Sequence, residues 1–563
     1  MVQLKKLLIV ILLGGLFLSV SSHYFGVALD GDVGCFDAIV HQMKLGQRLY
    51  TDVYDNKAPG IFYLTYFTPP PQFSGVTGSW IIQSICLAIL LVTLVRLFYN
   101  LILSHFLLGI CAVLFLLFSL RTILFFWPAF FVGGYTEEIG SYLFIGGFFL
   151  LYQASFLWVG YHLQKTWQRR FLLIVSGLLI GTTILIKEPF ILFTPAILVW
   201  LLYLKRKDVA FWFVGLVCPW LLHLIVLLKN DSLQGYFQYL RFAFNYSNAE
   251  KSLLSADNLK YVLQPFQFDS LPVVNVIQLF VFIGFCLLLL YRGFLKNSTV
   301  SKGAQVRKDY SVATLLMTHL FFLAGAKCFG ILGNGGYFHY QIPEYLFSWL
   351  GLLLFLHCIS LQLQRLNASR KYEVGLIFIG SIVILFISNC LVKYQMPLGH
   401  SSMFQTLANP HFINGSNYPK LVKVKDEEMV WNNFLIKNKI ELPEHCDIFI
   451  DDPHLGRFYG YLNSRYLTYF PCPYWVFFQS GELSLNQKAM PFLEQNRIRI
   501  IRQLQEQPPE FVFTSDNKGP LGTFTELIVF FNKNFVKRGE FFLGSKKVLL
   551  YEKAHSKLPA DYR

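Results

Sequence analysis

A few charged positions in a very apolar chain have the types and spacing to do chemistry. Asp32 stands in Leu29-Asp30-Gly31-Asp32-Val33-Gly34-Cys35-Phe36-Asp37, after the first apolar run. Lys57 follows in Asp55-Asn56-Lys57-Ala58-Pro59-Gly60, a turn that ends extended structure before a second apolar run. Glu137 and Glu138 come after Gly133-Gly134-Tyr135-Thr136, and Lys187-Glu188-Pro189 interrupts the apolar stretch 171–204. Lys327 and then Tyr337-Phe338-His339-Tyr340 precede a late apolar run. Carboxylates can take a proton from a hydroxyl, while lysines and a histidine can hold a phosphate. Each position also has a bland reading. Asp32 is a good helix N-cap, Lys57 can snorkel to headgroups, and acids after a Thr cap are ordinary. Lys187 can pair with Glu188 or another carboxylate, and His339 can be a satisfied interface histidine. A Lys and a Glu at membrane depth are nonetheless costly unless paired or functional.

The elements that must position these residues are membrane spans. The chain has 563 residues, 54% hydrophobic, 17% aromatic and only 14% charged, with 57 Phe and a mean hydropathy of +0.47. Soluble proteins carry about 25% charged residues. This composition excludes a disordered tail, a disulfide scaffold and a soluble enzyme on a single anchor. A spanning helix needs about 20 apolar residues. Eleven segments qualify: 7–27, 79–99, 103–120, 138–160, 171–186, 189–204, 209–228, 270–291, 310–326, 341–360 and 373–392. The first is read as a retained span, because no clean cleavage site follows it. Lys and Arg concentrate in alternate connections, namely Lys5–Lys6, Arg96, Lys165–Arg170, Lys205–Lys207, Arg292–Lys308 and Arg365–Lys371. The positive-inside rule then places the N-terminus in the cytoplasm and the C-terminus outside. The net charge of +15 is mostly a topology signal, with no nucleic-acid partner implied. Asp32, Lys57, Glu137, Lys187 and His339 all fall on the outer side. The stretch 171–204 is short for two full spans, which predicts a tight hairpin whose outer tip does not clear the membrane. Phe36, Ile39, Val40 and Met43 recur at helical spacing, predicting an amphipathic helix over 33–45 at the membrane surface.

Beyond 393 the composition turns soluble. Asp447–Asp452 reads as a strand, Gln495–Gln505 as an amphipathic helix, Glu510–Thr514 as a second strand and Phe541–Tyr551 as a closing hairpin. The expected division is therefore a membrane domain, 1–392, with its first outer loop at 28–78, and an outer α/β domain, 393–563. The 10 cysteines include no Cys-x-x-Cys pair, which argues against zinc or iron–sulfur. Cys446 and Cys472 are either a disulfide or two separate buried thiols.

In these residues the sequence resembles the GT-C glycosyltransferases. The likeness is to the bacterial relatives of dolichyl-phosphate-mannose–protein mannosyltransferase and of the lipid A aminoarabinose transferase. The shared features run in order over residues 7–392. They are an acidic residue opening a surface helix (Asp32), an acidic-x-Lys-Pro-Pro-like turn (Asp55 to Gly60, with Ala58 at the first Pro), and Thr136-Glu137 entering the fourth span. A Lys-Pro-like break (Lys187-Glu188-Pro189) and Phe338-His339-Tyr340 with Pro343 complete the set. The resemblance implies a polytopic GT-C fold in a bacterial inner membrane, with a periplasmic C-terminal domain. It implies inverting transfer of a sugar from a polyprenyl phosphate to a hydroxyl of a glycolipid, polysaccharide or protein. Asp32 would be the base, with Asp30 a competing register. Lys57, Lys187 and His339 would hold the phosphate, and Glu137 would orient the acceptor or a metal. Asp55, Glu138, Lys327 and Tyr340 would support them. Asp30-Gly31-Asp32 matches a D-x-D pattern, so a divalent cation stays open. The alternative is a polytopic lipid or sugar transporter without glycosyl transfer.

Overall fold

The computed structural model describes residues 31–68, 78–104, 135–160, 166–202, 206–247, 281–290, 302–332, 342–363, 424–441, 446–452, 458–466, 490–515, 524–543 and 546–554, with scattered single positions between them and in 7–18. The statements below concern these residues. Helix α1 runs Gly31–Lys44, α2 Pro59–Tyr66, α3 Gly78–Ser104, α4 Thr136–Gly160 and α5 Thr166–Ile186. A 3-10 helix, Glu188–Phe193, leads directly into α6, Thr194–Leu201. Then come α7 Arg206–Lys229, α8 Leu233–Ser247, α9 Lys302–Leu332 and α10 Ile342–Leu363.

Stretches of α5, α7, α9 and α10 are long and apolar enough to cross a membrane. They differ in depth within the bundle. The apolar window of α10 is 94% buried and that of α7 only 28%, so α10 is central and α7 faces lipid with Phe213, Leu221, Leu224 and Ile225. Helices α5 and α7 touch backbone to backbone. A Cβ on Gly177 would sit 2.1 Å from the Trp212 carbonyl oxygen, and one on Gly215 would sit 2.1 Å from that of Ile174. In lipid, where apolar side chains gain little from meeting each other, small residues let helices approach this closely. Arg169 and Asp208, 3.0 Å apart, tie the N-terminal ends of the same two helices. The centre of the bundle is a stack of phenylalanines from α4, the 3-10 helix, α9 and α10, with Phe193 and Phe347 4.1 Å apart.

The C-terminal part adds α11 Val424–Asn438, β1 Asp447–Ile450, α12 Phe458–Tyr461, β2 Arg465–Tyr466, α13 Met490–Glu506, β3 Phe511–Ser515, α14 Thr525–Asn534, β4 Phe535–Leu543 and β5 Lys546–Lys553. The five-stranded sheet has order β2-β1-β3-β5-β4. β1 is parallel to β2 and β3, while β5 is antiparallel to β3 and β4. Every residue of β3 is buried, as expected of an apolar strand covered on both faces. Helix α13 buries Leu493, Asn496, Ile500 and Leu504, the spacing of a single helix face. Trp431 of α11 packs on Phe458, Phe513 and Phe541.

Several expectations shift. The segment 189–204 is a 3-10 helix and a short helix in place of a full span, because Pro189 and Pro195, six residues apart, each restart the chain. All of 373–392, most of 7–27 and 103–120, and half of 270–291 lie outside the described residues. Helix α8 was not anticipated. Helix α1 forms as expected, yet it does not lie with one face in water. Residues 33–42 are all buried, and both His41 Nε2 and Gln42 Nε2 reach the Ser464 carbonyl at 3.2 Å. The C-terminal part covers the outer face of this helix. Cys446 is a free, buried thiol. Cys35 is the disulfide-bonded cysteine, and since every other described cysteine is free, its partner lies outside the described residues.

Candidate active site

Two lysine–carboxylate pairs meet at one end of the bundle. Asp32 is in the first turn of α1, where a carboxylate is favoured by the helix dipole. Its Oδ2 lies 2.8 Å from Lys57 Nζ, and the two side chains keep 21% and 16% of their surface exposed, so a ligand can reach both. The Lys57 turn is held from two sides. Tyr50 donates its hydroxyl to the Lys57 carbonyl at 3.0 Å, and Pro59 starts α2 at once. Gly60 then rests on the end of α5, where a Cβ would lie 2.7 Å from the Ile186 nitrogen and the Leu185 carbonyl. The next residue after that contact surface is Lys187.

Lys187 breaks α5 in an extended conformation (φ −154°, ψ 108°) before Glu188 and Pro189 open the 3-10 helix. Its Nζ lies 3.0 Å from Glu137 Oε1, and the Glu137 side chain is only 2% exposed. Glu137 is itself placed by Thr136, whose hydroxyl donates to Oε2 at 3.0 Å, and by Ser141, which donates to its carbonyl at 2.7 Å. Lys187 thus pairs with Glu137 of α4. Glu188 instead accepts a short hydrogen bond from the Tyr239 hydroxyl of α8.

Asp55 is buried beside the Asp32–Lys57 pair. Burial pushes its carboxyl up to about 7, reinforced by the charge of Asp32 and opposed by Lys57. Asp37, one turn further along α1, is also raised to about 7 by burial, with Lys44 pulling the other way. Glu138 faces away from the site. It accepts from Gln83 Nε2 at 2.7 Å and from the Tyr142 hydroxyl at 2.8 Å, bracing α4 against α3. Lys327 is buried near the end of α9 and interacts with Glu344 in the first turn of α10, whose Oε1 accepts from Gln278 at 3.2 Å. Asp30, His339 and Tyr340 lie outside the described residues. Among the described residues no group of three or more His, Cys, Asp and Glu could hold a metal ion.

The residues missed from sequence are Tyr50 and Tyr239, stacked at 5.2 Å, with Glu188 bonded to Tyr239, together with a roof. Tyr54 meets Phe470 at 5.3 Å and Phe492 at 5.7 Å, and Phe492 meets Phe242 of α8 at 4.7 Å. The signal available was the apolar and tyrosine spacing of Leu233–Ser247, a helical pattern too short for a span.

No protein-family model matches the chain, and no curated protein matches it by sequence. Two solved structures resemble it over nearly its whole length. One is ArnT from Cupriavidus metallidurans bound to undecaprenyl phosphate, at 13% identity, covering 96% of this chain and 97% of that one, with a TM-score of 0.46. The other is the Archaeoglobus fulgidus oligosaccharyltransferase in its apo form, at 10% identity, covering 99% and 75%, with a TM-score of 0.44.

Proposed function

We propose that the chain is a GT-C-type membrane glycosyltransferase that moves a sugar, with inversion, from a polyprenyl phosphate to an acceptor hydroxyl. The single observation that carries this is the Asp32–Lys57 pair, open to ligand, with the Lys57 turn seated on the helix end that presents Lys187. A polyprenyl-phosphate sugar is a phosphodiester with one negative charge; when its sugar leaves, the lipid monophosphate takes up a second. Cations fixed where that charge develops stabilise the transition state more than the ground state. Lys57 is the first such cation and Lys187 the second.

Asp32 supplies the base. The acceptor oxygen bonds to the anomeric carbon as the bond from that carbon to the phosphate oxygen breaks, and the hydroxyl proton passes to Asp32. In the resting pair Lys57 neutralises Asp32. A donor phosphate that draws the ammonium to itself leaves Asp32 freer to accept a proton, so donor binding primes the base. Glu137 holds Lys187 in position and orients the acceptor. His339, with Tyr340, is a further phosphate-binding candidate on its sequence position, and Asp30 shares the D-x-D pattern with Asp32. A multi-pass bacterial inner-membrane protein with its C-terminal region on the periplasmic side is the setting this reading requires.

The test is transfer of radiolabelled hexose from undecaprenyl-phosphate donors by the full-length protein in detergent. Wild-type turnover that Asp32→Asn and Lys57→Ala both abolish, in folded protein, is the expected result. Turnover that survives Asp32→Asn would remove Asp32 as the base. Lipid movement across a vesicle membrane without any transfer would replace the enzyme with a transporter.

A further inference from the structure

Lys187 and Glu188 are adjacent, and in an extended backbone successive side chains point to opposite sides. Lys187 turns to Glu137 on α4, and Glu188 turns to Tyr239 on α8. Tyr239 is 1% exposed and immobile, since its ring stacks on Tyr50 at 5.2 Å and on Tyr236 at 5.7 Å. Tyr236 is backed in turn by His223 at 4.5 Å, whose Nδ1 lies 3.0 Å from the Tyr63 hydroxyl. Tyr50 is the residue that holds the Lys57 carbonyl. Glu188 is therefore bracketed by the two lysine-bearing turns, and it stays partly exposed while Lys187 and Phe190 beside it are buried.

A further carboxylate here is a liability for binding an anion, because a like charge disfavours the ligand's ionised form. Its bonded partner is a phenol, which leaves its negative charge uncancelled. An ionised carboxylate is acceptor-only, and one fixed by a neutral donor keeps lone pairs for further donors. The neutral, donor-rich portion of a phosphate-linked sugar is the sugar itself. We propose that Glu188, fixed by Tyr239, accepts hydrogen bonds from hydroxyls of the transferred sugar and so sets which sugar is used. This rests on the glycosyltransferase reading above, with Tyr239 as a positioning residue. The competing role is a structural pin fastening α8 to the 3-10 helix.

The two roles separate in donor selectivity. Full-length protein would be assayed with undecaprenyl-phosphate glucose, mannose and galactose, and then with the monodeoxy analogues of whichever hexose is transferred fastest. A site built to bond a hydroxyl rejects the analogue lacking it strongly. Wild type is expected to prefer the full donor over at least one deoxy donor by about tenfold or more in kcat/KM, and Glu188→Gln to bring that ratio to within about threefold. Tyr239→Phe should narrow it partway. Equal loss of kcat/KM for all donors in Glu188→Gln, with the ratio unchanged, would show a pin and overturn the inference. No transfer of any hexose by folded wild-type protein would overturn the glycosyltransferase reading itself, before Glu188 comes into question.

Discussion

Asp55 offers the sharpest check on how this site is wired. Its carboxyl is raised from 3.8 to about 7, chiefly by burial, and it interacts with both Lys57 and Asp32. Protonated, it leaves Lys57 with a single carboxylate to neutralise. Ionised, it adds a second negative charge and competes with a donor phosphate for the same ammonium. If donor binds only the form with neutral Asp55, the apparent KM for donor scales as one plus the ratio of ionised to protonated carboxyl. For a group titrating near 7 that factor is about 1.1 at pH 6 and about 11 at pH 8, so KM rises about tenfold across the interval. The assay is initial-rate transfer at varied donor concentration from pH 6 to pH 8, for wild type and for Asp55→Asn. The amide cannot ionise, so its KM should be flat. A tenfold rise that persists in Asp55→Asn would place the titrating group elsewhere and refute the argument.

Three further outcomes follow from the same geometry. Asp37 is fully buried and raised to about 7, so the folded protein keeps a proton that the unfolded chain releases near its ordinary value of 3.8; stability falls as pH climbs from about 4 to about 7 and levels off above. Three units correspond to about 4 kcal/mol at most, and Asp37→Asn should flatten the pH dependence of the melting temperature and raise it at pH 8. Gly60→Ala puts a Cβ against the backbone of Leu185 and Ile186; a displaced Lys57 should reduce kcat/KM by about a hundredfold in folded protein, as read by transfer and by size-exclusion profile. Glu137→Gln removes the carboxylate that faces the buried Lys187 ammonium and should destabilise by about 3–5 kcal/mol, whereas Glu137→Gln combined with Lys187→Met should recover thermal stability without recovering activity.

Much of the site was legible in single residues. Asp32 at a helix start, Lys57 in a Pro-Gly turn, Glu137 after a Thr and Lys187 before a Pro each carry a local signal, because caps and breaks are decided by a residue and its immediate neighbours. Four of the spans, in α5, α7, α9 and α10, were legible for the same reason, since about 20 apolar residues suffice to cross a bilayer whatever surrounds them. Partners were not legible. That Lys187 chooses Glu137 and not its neighbour Glu188 depends on an extended backbone at one residue, and that Glu138 braces α3 depends on which way α4 is rotated.

Long-range covering was the least visible. The apolar stripe of α1 predicted a helix lying in the membrane surface, but it could not reveal that Ser464, more than four hundred residues along, closes the opposite face. The sequence by itself determined a set of long apolar helices, a C-terminal α/β region and the chemical types at the turns and helix ends, because hydrophobic length and local turn chemistry are properties of short segments. The tertiary structure alone decided which lysine faces which carboxylate, which carboxyls lose water, and that Glu188 meets a tyrosine. Those are matters of distance and dielectric between segments remote in the chain, and no local pattern encodes them.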